Sequence, residues 1–422
     1  MRSCIRFQAR GRRVRKACLA ALGAVLLFGF ARPAAGQRID RAWFEGQLRG
    51  DLERYLKVAP QPNGFLRPSY DRQWRPRERQ HATAVSQTRL IFVMAAGYEV
   101  TRRDDYREAA RRGADFLLAH FRDPEHGGYF RRVSPAGEVQ DDTKDSYSHA
   151  FAIFGLVQAW RATGDARYRE AALDTWRAMK AKLREDGVFI KAGATRDFGE
   201  ARGGNTQNPM MHLFEALLEL SAATGSKEVR RDAEESAGAI FGRLYRREAG
   251  FLPELYARDW TPLPEADGGR VEIGHQFEWA YLLSLAVETG FPSSYLDIGN
   301  RLIDYGLRTG YDRRSGGIWS RADYSGRVMD DRRKGWWEQC EFLRAIMHYA
   351  VRRGRDDLWE PYRQSIRFVQ DQFLDAEYGG WYGAYVADGP LPEGQADKGT
   401  EWRAGYHTTN LYSEALRLTD RQ

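Results

Sequence analysis

A register of 63 residues runs through the chain and limits what it can fold into. His275 and Glu278 open an apolar run, Trp279 to Ala286, and lie three residues apart, so on a helix they share one face. Sixty-three residues before His275 stands His212, and 63 before that His149; 63 after His275 stands Glu338. Glu278 repeats in the same way, with Glu215 63 residues earlier and Glu341 63 later, and Arg89 lies 126 before Glu215. Polar groups thus recur at the entrances of apolar segments, on one side of each, as if aimed at one place.

The segments themselves alternate. Apolar stretches with helical length occupy about 82–96, 147–162, 209–223, 275–289, 335–353 and 405–418. Between them run amphipathic stretches at about 38–56, 104–121, 166–183, 227–244, 293–307 and 357–374. The turns Thr163-Gly164-Asp165, Thr224-Gly225-Ser226 and Thr289-Gly290-Phe291 recur between the two kinds, with Gly to stop a helix and Asp or Ser to cap the next. Twelve helices in six pairs, one apolar and one amphipathic in each, bury their apolar members completely if the pairs close into a ring. This predicts an all-α fold, an (α/α)6 toroid forming one domain over residues 37–422. An open superhelix of the same hairpins is the alternative. Gly-aromatic segments at 127–130, 187–190, 250–252, 316–319 and 379–382 have strand character and predict short β hairpins on long loops at the site end.

The first 36 residues read as an export signal. A basic head from Arg2 to Lys16 precedes an apolar stretch from Ala17 to Phe30, too short for a comfortable membrane span, and Ala34-Ala35-Gly36 offers small residues for cleavage. A periplasmic location and no stable membrane insertion after cleavage are the expectation. The leader carries eight Lys and Arg and no acid, so the formal charge of +7 falls to −1 without it. The basic balance therefore gives no reason to expect nucleic acid. Of three cysteines only Cys340 lies beyond the leader, in an apolar helix, so no internal disulfide is expected.

His149, His212, His275 and His407 sit at the entrances of apolar helices. Imidazoles near neutral pKa suit removal and return of a proton beside a carbonyl, and a carboxylate three residues on suits the task of orienting such a ring. Glu215, Glu278, Glu338 and Glu341 could instead supply the paired carboxylates of a glycoside hydrolase or a lyase. Neither His-x-x-Glu pair is the His-Glu-x-x-His of a zinc hydrolase, and no metal is expected. The aromatic content of 13% suits stacking on sugar faces.

Six motifs in order resemble the N-acylglucosamine 2-epimerase family, which also holds cellobiose 2-epimerases and mannose-type aldose–ketose isomerases. They are Gln87-Thr88-Arg89, Tyr147-Ser148-His149-Ala150-Phe151, Asn208-Pro209-Met210-Met211-His212 with Glu215, Gly274-His275-Gln276-Phe277-Glu278-Trp279, Trp336-Trp337-Glu338-Gln339-Cys340-Glu341, and Trp402-Arg403-Ala404-Gly405-Tyr406-His407. The resemblance implies the (α/α)6 barrel and reversible proton transfer at C2 of a reducing aldose through an enediolate, with an aldose–ketose isomerase as the alternative. It implies His407 as the base at C2 and His275 as its partner, with Glu278 holding the tautomer of His275. His212 would assist ring opening, and Arg89 would neutralise the enediolate oxygen. His149, Asn208, Trp336, Trp337, Glu341 and Trp402 would contact the sugar. His149 stands where the cellobiose enzymes usually have Gln. No Gly-rich phosphate loop is present, so no cofactor or nucleotide is expected. The expected partner is a reducing sugar or oligosaccharide, and the expected state a monomer or homodimer.

Overall fold

The computed structural model describes residues 39–187 and 189–420; the proposed leader lies outside them. The described residues form twelve α-helices: α1 Arg41–Val58, α2 Ala84–Thr101, α3 Asp104–Phe116, α4 Ser146–Thr163, α5 Ala166–Lys182, α6 Asn208–Thr224, α7 Lys227–Ala239, α8 Ile273–Glu288, α9 Ser294–Thr309, α10 Trp336–Arg352, α11 Trp359–Gln372 and α12 Tyr406–Thr419. Each even-numbered helix packs on the next even-numbered one, and α12 packs back on α2. That last contact closes the ring and makes the fold an (α/α)6 barrel rather than an open superhelix. The odd-numbered helices form the outer layer, α1 against α12 and α2, and the others against the inner helices that flank them.

Burial follows the composition of each helix. Every residue of α2 from Ala84 to Gly97 is buried, and so is every residue of α8 from Ile273 to Ser284, as expected of helices enclosed on all sides. The outer α3 buries only the stripe Tyr106, Ala109, Ala110, Gly113, Ala114 and Phe116. Gly164 and Gly225 end α4 and α6 in the left-handed region, and Asp165 and Ser226 then cap α5 and α7 by accepting the amide hydrogens of Arg167 and Val229. The third turn of the series differs: α8 ends at Thr289, and α9 starts at Ser294 without a side-chain cap. No helix among the described residues is long and apolar enough to cross a membrane.

Short antiparallel ladders gather the loops at the end where the inner helices begin. The residues just ahead of five inner helices pair with a strand in the following loop: Ala82–Thr83 with Arg132–Val133, Lys144–Asp145 with Gly193–Ala194, Asn205–Thr206 with Leu255–Tyr256, Val271–Glu272 with Arg321–Ala322, and Arg333–Gly335 with Ala384–Val386. A bridge between Tyr70 and Gly399 joins the first loop to the last. The hairpins expected at the Gly-aromatic segments are mostly elsewhere. Tyr129, Phe251, Ile318 and Trp381 each make a single bridge, and only Phe189–Ile190 belongs to a ladder. The reason is that inner-helix amides take the place of a strand. Gln87, Gln276 and Gln339 each accept the N–H and donate to the C=O of one loop residue, Leu66, Leu252 and Ile318 respectively.

Three buried lysines bolt these loops to the barrel. Lys144, Lys334 and Lys398 are fully buried and pair with Asp123, Asp312 and Asp375 at 2.8, 2.7 and 2.9 Å. Lys334 Nζ also donates to the Ser315 hydroxyl and the Gly316 carbonyl. Removing one member of a buried pair leaves the other charge without compensation. Lys334→Met should therefore cost about 3 kcal/mol of stability, read as a lower midpoint in urea.

Candidate active site

A cavity of about 300 Å³ opens at the ladder-bearing end of the barrel. Nine residues to which the family resemblance gave a site role line it: Arg89, Asn208, His212, His275, Glu278, Trp336, Trp337, Trp402 and His407. They come from the first two turns of five inner helices and, for Trp402, from the loop ahead of α12. Tyr147, Glu254, Arg270, Glu272, Arg321 and Glu338 complete the wall.

Three imidazoles face this cavity, and each has its Nδ1 held by a carboxylate. His275 Nδ1 is 2.7 Å from Glu254 Oε2. Glu254 also accepts from the Thr206 hydroxyl (2.8 Å) and from the Gln207 amide (2.7 Å). Gln207 is oriented by the indole N–H of Trp279, which donates to its Oε1 at 2.6 Å. Its NH₂ therefore points at Glu254 and lies 3.0 Å from His275 Nδ1, and the shorter contact of that ring nitrogen with the Glu254 carboxylate favours a proton on Nδ1. His407 Nδ1 is 2.7 Å from Glu341 Oε1, and Arg344 donates to the other oxygen of Glu341 at 3.1 Å. His212 Nδ1 is 3.1 Å from Glu215 Oε2, and the Tyr406 hydroxyl donates to the same carboxylate at 2.5 Å. In each ring Nε2 is left for the cavity.

This arrangement corrects three expectations. Glu278 does not hold the tautomer of His275; Glu254 does. A residue three positions along a helix lies nearly a turn deeper in the barrel, and Glu278 ends among Glu215, Glu341 and His212 rather than beside the ring of its own helix. Glu341 is not a sugar contact, since it is wholly buried behind His407. His149 is not one either. Its Nδ1 faces the Asp145 carbonyl at 2.7 Å, and its Nε2 accepts the Tyr129 amide hydrogen at 3.0 Å. It thereby serves the second loop as Gln87, Gln276 and Gln339 serve theirs. Of the three pairs, only His212 with Glu215 follows the i, i+3 rule.

Glu254 was not legible as a functional residue. It lies outside the 63-residue register, directly after the loop stretch Gly250-Phe251-Leu252-Pro253. The one available signal was an acid embedded in an apolar loop segment.

The electrostatics separate the two imidazoles that flank Trp337, whose ring centroid is 4.8 Å from that of His275 and 5.8 Å from that of His407. Burial depresses His407 to about 4 despite the hydrogen bond from Glu341. Burial also works against the charged form of His275, but the charge and hydrogen bond of Glu254, with Glu272 and Glu338 behind it, leave its pKa raised. One ring is thus held neutral and the other favours its proton. His212 is lowered, again chiefly by burial. Glu278 is pushed far up by burial and by the charges of Glu341 and Glu215, which favours its protonated form. Glu338 is pushed up by burial to about 7.

Arg89 supplies fixed positive charge. It donates to the Trp402 carbonyl (2.6 Å) and the Tyr147 hydroxyl (2.8 Å), both uncharged, and its guanidinium lies 4.5 Å from the Phe151 ring centre. Its Nε has no partner, nor has the buried Oδ1 of Asn208. Two groups, His212 with Glu215 and Glu278, and Glu278 with Glu341 and His407, bring one possible metal ligand atom each within 4.8 Å of one another. In both, the imidazole Nδ1 already faces a carboxylate, and in the second Arg344 pairs with Glu341 at 3.1 Å.

Comparison with known proteins finds relatives by sequence and by fold. The profile of the family described as N-acylglucosamine 2-epimerase (GlcNAc 2-epimerase) matches residues 64–409. A cellobiose 2-epimerase of Bacteroides fragilis is 25% identical over 79% of this chain and 87% of its own. A D-mannose isomerase of Marinomonas mediterranea is 23% identical over 79% of this chain and 86% of its own. The structure of cellobiose 2-epimerase from Spirochaeta thermophila superposes with a TM-score of 0.83 at 24% identity, covering 93% of this chain and 99% of that one.

Proposed function

Since the chain belongs to the N-acylglucosamine 2-epimerase family, we propose that it is a sugar 2-epimerase that moves a proton at C2 of a reducing aldose through an enediolate. The observation that carries this reading is the pair of cavity-facing imidazoles, each backed by a carboxylate, whose pKa values are pushed apart, His407 down by burial and His275 up by Glu254. In the open-chain sugar, neutral His407 Nε2 takes the C2 hydrogen as a proton. The C2–H electron pair forms the C1–C2 double bond, and the carbonyl pair moves onto O1. Arg89 and the partial positive charge at the N-termini of the inner helices favour that oxyanion. His275 Nε2 then delivers its proton to the opposite face of C2, the O1 lone pair restores the carbonyl, and solvent resets both rings. His212, backed by Glu215, is placed to exchange a proton with a sugar oxygen during ring opening.

A second reading, aldose–ketose isomerisation, uses the same cavity. His407 would return its proton to C1 instead, and the mannose isomerase relative supports it. Glycoside hydrolysis has less support. It needs one carboxylic acid and one carboxylate across the bond, whereas the two cavity acids with unpartnered oxygens, Glu278 and Glu338, are both pushed up by burial. Glu254 and Glu272 are engaged by His275 and by Arg270 (2.7 Å) and Arg321 (2.9 Å).

The test is incubation in D₂O with mannose, glucose, N-acetylglucosamine, cellobiose and mannobiose, followed by NMR at C2. An epimer deuterated at C2 is the expected product. A ketose would select the second reading, and loss of no C2 hydrogen from any of these sugars would overturn both.

A further inference from the structure

Beside the reaction cavity lies a second one of about 360 Å³. The two share Trp336, Trp337, Trp402, Glu338 and Arg321, so they adjoin along one aromatic wall. The loop 387–399, which separates the last two inner helices with its neighbours, contributes Gly394 and Gln395 to the far wall.

The charge of this second cavity is lopsided. Arg403 lines it and is buried to 7% exposure. Its hydrogen bonds go to backbone carbonyls alone, those of Gly394, Gln395 and Asp397. The Asp397 carboxylate is turned away to Arg77, with Nε to Oδ2 at 3.1 Å. Arg403 Nε has no partner at all, and among the described residues no carboxylate forms an ion pair with this guanidinium. Burial pulls its pKa below the ordinary guanidinium value, and the charge of Asp397, which is paired with Arg77, offsets this only in part. A buried charge of this kind is costly unless a counter-charge reaches it. Arg333 and Arg321 stand exposed on the rim of the same cavity, and Arg321 gives only its Nε to Glu272. The acids on this wall are Asp330, exposed at the rim, and Glu338, which burial pushes toward its neutral form.

We infer that the second cavity receives an anionic group, a carboxylate or a phosphate monoester, carried by the substrate away from its reacting end. The inference rests on the sugar-isomerising reading of the adjoining cavity. It names the substrates as acidic sugars, with Arg403 as the buried counter-charge and Arg333 and Arg321 as the rim that draws the anion in. A planar guanidinium with unused donors suits either oxyanion.

The anion can sit on the reacting sugar itself or on a second unit, and the substrates tested separate these sources. Mannose is compared with mannose 6-phosphate, and cellobiose with a disaccharide whose non-reducing unit is a uronic acid. C2 exchange in D₂O gives kcat/KM for each, and quenching of tryptophan fluorescence gives binding apart from turnover. In the unaltered protein one anionic sugar should exceed its neutral counterpart at least tenfold in kcat/KM and bind more tightly. Arg403→Gln and Arg333→Gln should each bring that ratio toward one. Arg403 also braces the 394–397 backbone, whereas Arg333 lies on the rim, so the second variant stands if the first fails to fold. Neutral sugars that match their anionic counterparts in exchange and binding would overturn the inference alone. So would a ratio unchanged in Arg333→Gln and in a folded Arg403→Gln. Absence of exchange with every sugar, neutral or anionic, would instead overturn the proposed function.

Discussion

In a His407→Asn variant, C2–hydrogen exchange falls by about 10³-fold or more, because the group that takes the proton is gone. Asn is the informative replacement. Its amide can still donate to Glu341, so the buried Glu341–Arg344 pair keeps a neighbour and the floor of the cavity keeps its charge balance. The amide has no basic nitrogen. Sugar binding, read by tryptophan fluorescence, should change little, since Trp336, Trp337 and Trp402 remain. Exchange that persisted near the wild-type rate in a folded variant would remove His407 from the base role and leave His212 as the ring to examine next.

Glu254→Gln carries the second large effect, on pH dependence as well as rate. In the direction in which His407 abstracts the proton, activity needs His407 neutral and His275 protonated. His407 loses its proton as pH rises through about 4, so activity grows through that range and is complete well before neutrality. His275 keeps its proton up to a raised value, and activity declines as pH climbs past it. Glu254 leads the groups that raise this pKa against burial, ahead of Glu272 and Glu338. Glutamine preserves the shape and can accept from Nδ1, but it removes the charge. Burial then prevails, the pKa of His275 falls, and the basic limb of the kcat/KM profile moves to lower pH. At neutral pH the rate should drop by roughly tenfold to a hundredfold, as for loss of a general acid in part of its population. The corresponding Glu278→Gln change should leave the position of that limb in place, because Glu278 is not bonded to His275. A basic limb unmoved in Glu254→Gln, or moved in Glu278→Gln, would return the orienting role to the residue three positions along the helix.

The two variants test a distinction that runs through the molecule. Periodicity alone set the number of helices, their inner and outer assignment, and the height of His212, His275 and Arg89 along the barrel. Helical residues at a common register lie at a common level, and an apolar helix has to be enclosed whatever its neighbours are. Six similar pairs of this length meet that demand by closing. The same periodicity could not say which carboxylate each imidazole would face. Glu254 reaches His275 from a loop, and Glu341 reaches His407 from the next inner helix, across separations of 21 and 66 residues that carry no local pattern. His149 shared the register of the other histidines and yet serves a loop backbone, because the second loop passes close enough to claim its Nε2. Arg403 stood inside a recognised motif, but its lack of a counter-charge became visible only once Asp397 was seen turned toward Arg77. Sequence determined level and layer, through forces that act along a single helix. Tertiary structure decided partnership and protonation, since these depend on distances of about 3 Å between groups that the chain holds far apart and only the packed barrel brings together.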